Sequence, residues 1–151
     1  MVIIQSLELI FRNLGALFSE AHQPKRNVPN MDYSATIRPN DLKQLEQNWI
    51  EQQKVKGTSR EMDLRPVIKL FSPVGSATIL VSEKDPEGGL SFGIVDLGFG
   101  AAEMGYLDLE EVLTAELPMG LRMEQDLYWT ADKTLSQYAD AARRNGGVLQ
   151  A

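Results

Sequence analysis

The chain contains 151 residues, which is the size of one domain with a single sizeable core. Hydrophobic residues make up 43% of it and charged residues 24%, and these ordinary globular values exclude wholesale disorder. Cysteine is absent, so disulfides, thiol nucleophiles and cysteine-bound zinc are excluded. His22 is the only histidine, and any Ser–His catalysis would depend on that one residue.

The sequence predicts a helix over residues 3–18, because apolar residues recur there at helical spacing. Glu8 and Arg12 interrupt the apolar residues and no base precedes them, which opposes a secretory signal. No stretch of the chain approaches the ~20 apolar residues that a membrane span needs. We therefore expect no membrane association and a cytoplasmic location.

Residues 23–40 have the composition of a linker, with three prolines and three asparagines. Met31 lies inside this stretch and offers an alternative translation start, so residues 1–30 are interpreted as an optional extension. The expected organisation is an N-terminal helix plus a Pro/Asn linker over 1–40 and a single domain over 41–151.

A second helix is predicted from Asp41 to Lys54. Asn40 is a suitable N-cap, because its side chain can accept a hydrogen bond from a free amide at the start of the helix. Gly57 is expected to end the helix. The apolar stripe of this helix consists of Leu42, Leu45, Trp49 and Ile50.

Five short runs of β-rich composition predict the strands of a sheet. They cover residues 67–71, 77–81, 90–97, 104–107 and 123–129. Residues 72–75 predict a hairpin turn between the first two strands, because proline fixes φ and glycine permits a positive φ. The third strand is apolar in both of its alternating sets, which predicts a position inside the sheet.

Two capping patterns predict the remaining helices. Asp108 with Glu111 indicates a short helix after the fourth strand, and Thr134 with Gln137 indicates the last helix of the chain. Together these elements predict an α+β fold, in which a small antiparallel β-sheet is flanked by N-terminal and C-terminal helices.

Acidic residues are concentrated in the C-terminal region. The chain has a formal net charge of −6, and residues 66–151 alone carry six bases and thirteen acids, a net charge of −7. No base occurs between Lys84 and Arg122, where eight acids lie. Such a surface repels phosphate backbones, so we expect no direct binding of nucleic acid. A row of carboxylates also imitates a row of phosphates, which makes an acidic DNA-mimic inhibitor one alternative function.

Asp96 and Glu103 are the candidate carboxylates for catalysis or metal binding. Gly98 and Gly100 permit a sharp turn between them, which would bring both carboxylates to one rim. Oxygen ligands suit Mg²⁺ or Ca²⁺, so a divalent-metal-dependent hydrolase is a second alternative function. In the competing interpretation Asp96 caps a turn, Glu103 is solvated and the glycines only shape the loop. No cofactor is expected unless this pair holds Mg²⁺ or Ca²⁺.

Lys69 is the third catalytic candidate, because it alternates with Val67 and Phe71 on an apolar face. An isolated buried lysine is costly and needs a partner, for which Asp96 is the candidate. The sequence leaves open whether Lys69 and Asp96 share a face of the sheet. A lysine on the solvent face of the sheet is the competing interpretation.

Acidic and aromatic residues of the C-terminal region are the candidates for contact with a protein partner. Tyrosines can anchor such an interface, although they serve equally well as core residues. The predicted binding residues are Gly98, Gly100, Tyr106, Asp108, Glu111, Asp126 and Tyr128.

A series of short motifs follows Arg65 in a distinctive order. They occupy residues 67–73, 77–78, 83–86, 93, 96–100, 103–106, 126–129 and 135–138. Their order and spacing resemble the bacterial domain-of-unknown-function family DUF2958, apart from Ala101-Ala102, where more polar or proline-containing residues are expected. The resemblance implies a small bacterial cytosolic domain, often encoded on plasmids and integrating elements near DNA-processing genes. It implies no activity.

We interpret the chain as a cytosolic accessory domain that acts by binding another protein, and the resemblance implies that it is encoded on a mobile genetic element. The small carboxylate or divalent-metal hydrolase and the DNA-mimic inhibitor are the alternatives. An enzymatic role is the less favoured interpretation.

Overall fold

The computed structural model describes residues 31–151, and the helix predicted over residues 3–18 lies outside the described residues. The helices are α1 (Pro39–Val55), α2 (Leu109–Thr114) and α3 (Leu135–Arg144), with 3₁₀ turns at Tyr33–Ala35 and Pro118–Gly120. The strands are β1 (Ile68–Phe71), β2 (Thr78–Lys84), β3 (Leu90–Asp96), β4 (Glu103–Asp108) and β5 (Glu124–Gln125). They form one antiparallel sheet in the order β4-β3-β2-β1-β5, which confirms the predicted α+β class.

Apolar side chains cover both faces of the sheet. The larger cluster joins one face to α1, α2 and the first 3₁₀ turn through residues such as Leu45, Val81 and Val112. The smaller cluster joins the other face to α3 through residues such as Leu80 and Tyr138. Because successive side chains of a strand point to opposite faces, β2 and β3 contribute to both clusters. This explains why the runs that form them are apolar in both alternating sets.

A β-bulge interrupts the pairing of β2 with β3. Val81 lies opposite Gly93, but Glu83 lies opposite Phe92, so Ser82 is the extra residue. An extra residue reverses the alternation of the strand beyond it. Glu83 is thereby turned to the face of the sheet that carries Phe92, and Lys84 to the opposite face.

The start of α1 differs from the prediction. The helix begins at Pro39 and its N-cap is Arg38, so Asn40 lies inside the first turn and does not cap it. Proline suits the first helical position, because its fixed φ matches the helix and its missing N–H would have no partner there. At the other end, Gly57 has a φ of +75°, as expected of a glycine that follows a helix.

Both later caps lie where the sequence places them. The Asp108 side chain accepts hydrogen bonds from the amides of Glu110 and Glu111 at the start of α2. Thr134 and Gln137 form the predicted capping box of α3.

The fifth strand is much shorter than predicted. The sequence predicts a strand over residues 123–129, whereas β5 contains only Glu124 and Gln125. An Asp126 side-chain oxygen accepts a hydrogen bond from the Tyr128 amide, which turns the chain away from β1. The local side-chain bond therefore outweighs the strand propensity of the run.

The packed core extends into the predicted linker. Tyr33 and Ile37 are buried, and both belong to the larger apolar cluster. Between residues 31 and 151 no helix is long and apolar enough to cross a membrane.

Candidate functional site

The structure does not bring Asp96 and Glu103 together. Glu103 lies directly opposite Val95 on β3, so it shares the face of Val95 and not that of Asp96. The Asp96 carboxylate is buried and accepts hydrogen bonds from the amides of Gly98 and Leu149, both at 2.8 Å. Glu103 is exposed. The carboxylate of Asp96 therefore holds the loop and the C-terminal segment in place.

The glycine loop has the backbone geometry that its sequence predicts. Gly98 has a φ of +86° and Gly100 a φ of +74°, values that favour glycine. Phe99 between them is largely exposed. The loop also contacts the C-terminal segment, because the Ala102 amide donates to the Gly147 carbonyl.

Lys69 has partners other than Asp96. By strand register the two residues do share a face of the sheet, but the Lys69 ammonium lies 3.5 Å from the Asp126 carboxylate. It also donates a 2.9 Å hydrogen bond to the Ala151 carbonyl. Lys69 thus joins β1 to the segment after β5 and to the C-terminal residue.

The predicted binding residues do not form one surface. Tyr106 and Asp108 belong to β4 at one edge of the sheet, whereas Asp126 and Tyr128 follow β5 at the other edge. Glu111 lies in the first turn of α2. The Tyr128 side chain is almost fully exposed at 97%.

The described part of the chain offers no metal-binding cluster. No three histidine, cysteine, aspartate or glutamate residues within 31–151 are placed to hold a metal ion together. Divalent-metal hydrolysis at Asp96 and Glu103 stays a prediction of the sequence, and the separation of the two carboxylates gives it no support.

A different acidic residue, Glu83, lines a cavity of about 270 Å³, which we call the Glu83 cavity. Its polar lining includes Gln52, Lys56, Glu61, Asp63, Ser82 and Ser136. Its apolar lining consists of Met62, Leu64, Phe92, Met104 and Leu135. The C-terminal end of α1, the following loop, the β-bulge and the start of α3 thus meet at this cavity.

Glu83 is the unusual member of this lining. This residue is only 2% exposed. Among residues 31–151, its Oε2 is the one fully buried side-chain nitrogen or oxygen without a hydrogen-bond partner. Buried polar groups in proteins are nearly always paired, so an orphaned carboxylate oxygen requires an explanation.

Burial raises the pKa of Glu83 from 4.5 to about 7, because loss of solvent disfavours the charged carboxylate. The charge of Lys56 acts in the opposite direction and that of Glu61 adds to the increase. Perturbed carboxyl groups in cavities are typical of functional sites. The raised pKa lets this group exchange its proton near neutral pH.

The neighbouring Lys84 has the opposite character, although it is equally buried. Its ammonium donates to the Asp85 carbonyl at 2.7 Å, lies 3.4 Å from the Glu46 carboxylate and lies 4.3 Å from the centre of the Tyr33 ring. The Lys84 ammonium is therefore fully engaged with the core, whereas Oε2 of Glu83 has no hydrogen-bond partner among residues 31–151.

The other charged groups of the cavity are hydrogen-bonded or exposed. The Asp63 carboxylate accepts hydrogen bonds from the hydroxyls of Thr134 and Ser136 and from the Ser136 amide. Desolvation would raise the pKa of Asp63, but these hydrogen bonds outweigh it and lower the pKa. Asp63 thus anchors α3, and Glu61 and Lys56 are exposed at the rim.

Aromatic rings lie beside Glu83 on the same face of the sheet. Glu83, Phe92 and Tyr106 form one row across β2, β3 and β4. The rings of Phe92 and Tyr106 are 5.1 Å apart and inclined by 73°, which makes two walls of a corner. The Lys56 ammonium lies 4.5 Å from the Tyr106 ring centre and 5.9 Å from that of Phe92. We call this arrangement the aromatic corner.

Sequence reasoning predicted Tyr106 but missed Glu83, Lys56 and Phe92 as site residues. Glu83 appears in the sequence only as one acid of a polar stretch that follows an apolar strand. The one sign of a buried carboxylate that the sequence offers is a charged residue that directly continues an apolar strand. The bulge that buries Glu83 is set by pairing with β3, which no local pattern indicates.

Comparison with known proteins gives a family and no activity. The model of the family described as "Protein of unknown function (DUF2958)" matches residues 37–149, most of the chain and all five strands. Neither the curated proteins nor the solved structures contain a match to this chain.

Proposed function

The chain belongs to the DUF2958 family, and we propose that it acts by binding another protein, one of whose basic side chains enters the Glu83 cavity. The observation that supports this proposal is the buried, unpartnered Oε2 of Glu83. An ammonium or guanidinium group supplies the hydrogen-bond donor and the positive charge that this oxygen lacks.

The remaining lining suits the stem of such a side chain. Met62, Phe92 and Met104 offer apolar contact to the methylene groups of a lysine or arginine, which bury their stems while the charged head is paired. Methionine adapts its shape easily, which suits a surface that must accept a partner. Met62 and Met104 are also partly exposed, at 38% and 44%, so the cavity opens where a partner can approach.

The charge of the region favours the same ligand. Glu61, Asp63 and Glu83 outnumber the single base Lys56 in the lining. The sequence between Lys84 and Arg122 contains eight acids and no base. Such an excess of acids steers a basic partner toward this region and repels nucleic acid.

The sequence also predicts that the chain binds a protein, but the proposed binding site is now the Glu83 cavity. A cytosolic setting and a mobile genetic element remain part of the proposal as implications of the family resemblance. The hydrolase alternative is not favoured, because its two carboxylates lie on opposite faces of the sheet. DNA mimicry needs one continuous acidic row, and no observation favours such a row.

The test uses the full chain, labelled with ¹⁵N, and two small probes. N-acetyl-lysine methylamide and N-acetyl-arginine methylamide are titrated at pH 8, with N-acetyl-alanine methylamide as the neutral control probe. We expect saturable shifts of the amide resonances of Glu83, Phe92 and Met62 with at least one basic probe. Glu83→Gln should abolish them, whereas Glu87→Gln, which removes an exposed carboxylate outside the cavity, should preserve them.

A protein-level test follows from the same pair of variants. A partner that is cross-linked to the wild type and to Glu87→Gln, is lost with Glu83→Gln and is released by the basic probe would support the proposal. If neither basic probe perturbs the cavity, or if Glu83→Gln binds both as the wild type does, the proposal fails.

A further inference from the structure

We infer that the aromatic corner is an ammonium subsite, which Lys56 fills in the free protein and from which a lysine of the partner displaces it. This inference rests on the proposed function and specifies its ligand as lysine. The supporting observation is that a lysine ammonium of this chain already occupies the corner.

The geometry of the corner fits a compact cation. The faces of two aromatic rings carry partial negative charge, and the inclination of 73° between Phe92 and Tyr106 lets one ammonium contact both. Trp49 also packs against Tyr106, with the ring centres 6.5 Å apart and the rings nearly perpendicular. Phe92 lies directly opposite Glu83, so the carboxylate and the rings form one adjoining surface.

Lys56 is suited to leave the corner. It lies beyond the last residue of α1, its side chain is exposed, and its ammonium makes no ion pair within 4.0 Å among residues 31–151. A cation–π contact at an exposed position is weak. A partner lysine that contacts the rings and also donates a hydrogen bond to Oε2 of Glu83 makes a bond that Lys56, which acts on Glu83 through its charge alone, does not make.

Lysine fits this arrangement better than arginine. Lys56 demonstrates that an ammonium fits the angle between the rings, and an ammonium is a compact point charge. A planar guanidinium stacks on one ring face and cannot lie flat on two rings inclined by 73°. We therefore expect the lysine probe to bind more tightly than the arginine probe.

A direct readout of displacement is the resonance of the Lys56 side chain. Protons held over an aromatic face are shifted upfield, so the Lys56 Hε signals of the full chain should lie upfield of those of Lys54, which has no ring contact among residues 31–151. On titration with N-acetyl-lysine methylamide at pH 8.5, the Lys56 Hε signals should move to the position of an ordinary lysine. This pH lies above the Glu83 pKa of about 7, so the carboxylate is charged in the wild type.

Substitution of Lys56 tests the competition. Lys56→Gln should tighten binding of the lysine probe about two- to fivefold, the gain expected when an exposed cation–π competitor is removed. Lys54→Gln is the matched control, because it removes the same charge from the last turn of α1 without touching the rings. In the Lys56→Gln background, Tyr106→Leu should weaken the lysine probe by a similar factor.

The outcomes separate this inference from the proposed function. If the probe binds in a Glu83-dependent manner while Lys56 Hε stays upfield, or if Lys56→Gln and Lys54→Gln behave alike, the inference is overturned and the proposed function stands. If no basic probe binds to the wild type or to Lys56→Gln, the proposed function fails first. A lysine preference, a released Lys56 and a tighter Lys56→Gln variant together support the inference.

Discussion

Two buried carboxylates on neighbouring strands of one sheet have opposite surroundings. Asp96 at the end of β3 is 4% exposed, and Glu83 near the end of β2 is 2% exposed. Asp96 accepts hydrogen bonds from two backbone amides, those of Gly98 and Leu149. The Oε2 atom of Glu83 accepts none among residues 31–151. The two carboxylates are thus similarly buried, but Asp96 is hydrogen-bonded and Oε2 of Glu83 is not.

The two carboxylates therefore differ in what their hydrogen bonding contributes to the folded protein. A carboxylate that backbone amides satisfy contributes to stability and offers little to a partner. A buried carboxylate without a partner costs free energy in the free protein, and a ligand can offset that cost when it supplies the missing donor. Asp96 therefore serves the fold, and the proposed function gives Glu83 the role in binding. Measurements of stability test this contrast.

The largest effect is expected from Asp96→Ala. Loss of the carboxylate leaves the amides of Gly98 and Leu149 without their acceptor, so the free energy of unfolding should fall by about 4 kcal/mol. Urea denaturation of the full chain measures this change. Glu103→Ala, which removes the exposed carboxylate on β4, should alter stability by no more than about 0.5 kcal/mol. Similar small effects of both substitutions would remove the structural role of Asp96.

The second prediction concerns the pH dependence that Glu83 brings to stability. Its pKa is about 7 in the folded protein and 4.5 without burial, so between these values the folded state retains a proton that the unfolded state releases. Stability is thus undiminished below about pH 4.5, falls as the pH rises, and above about pH 7 is lower by about 3 kcal/mol.

The variant Glu83→Gln isolates this effect because it cannot ionise. Its unfolding free energy relative to the wild type should rise by about 3 kcal/mol between pH 4.5 and pH 7.5, as measured by urea denaturation at intervals of half a pH unit. The exposed Glu87→Gln should show no such trend. A difference between Glu83→Gln and the wild type that is independent of pH would show that Glu83 is solvated or paired, contrary to the comparison.

Local chemistry explains what the sequence predicts well. Residues 72–75 lie in the hairpin connection between β1 and β2, Asp108 and Thr134 cap the predicted helices, and Gly98 adopts a positive φ. Each of these features is decided by residues within a few positions of one another. The strands are likewise predicted from runs of neighbouring residues. The predicted strands and helices together give the α+β class.

Contacts between distant segments explain what the sequence does not predict. Asp96 and Leu149 are 53 residues apart, and no local pattern indicates that the C-terminal segment supplies an amide to β3. The bulge at Ser82 depends on the pairing of β2 with β3, and it decides which face of the sheet receives Glu83. The sequence therefore indicates a site at its most conspicuous local motif, the glycine loop, and not at the Glu83 cavity.

The smallest effect is expected from the glycine loop itself, whose shape lets Asp96 reach the Gly98 amide. Gly98→Ala places a Cβ at a φ of +86°, 2.6 Å from the Ser76 hydroxyl oxygen and 3.0 Å from the Ser76 Cβ. The left-handed backbone and this contact should lower the free energy of unfolding by about 1–2 kcal/mol. Gly88→Ala is the control, because its φ lies outside that region and its Cβ meets no atom within 4 Å. Urea denaturation of both variants tests the expectation.

The double variant Asp96→Ala/Gly98→Ala then relates the loop to the carboxylate. If the loop conformation matters because it presents the Gly98 amide to Asp96, the two substitutions act on one hydrogen bond and their effects should sum to less than their separate costs. Strict additivity would mean that the glycine loop and Asp96 stabilise the fold independently. The hydrogen bonding that distinguishes Asp96 from Glu83 would then come chiefly from the Leu149 amide of the C-terminal segment.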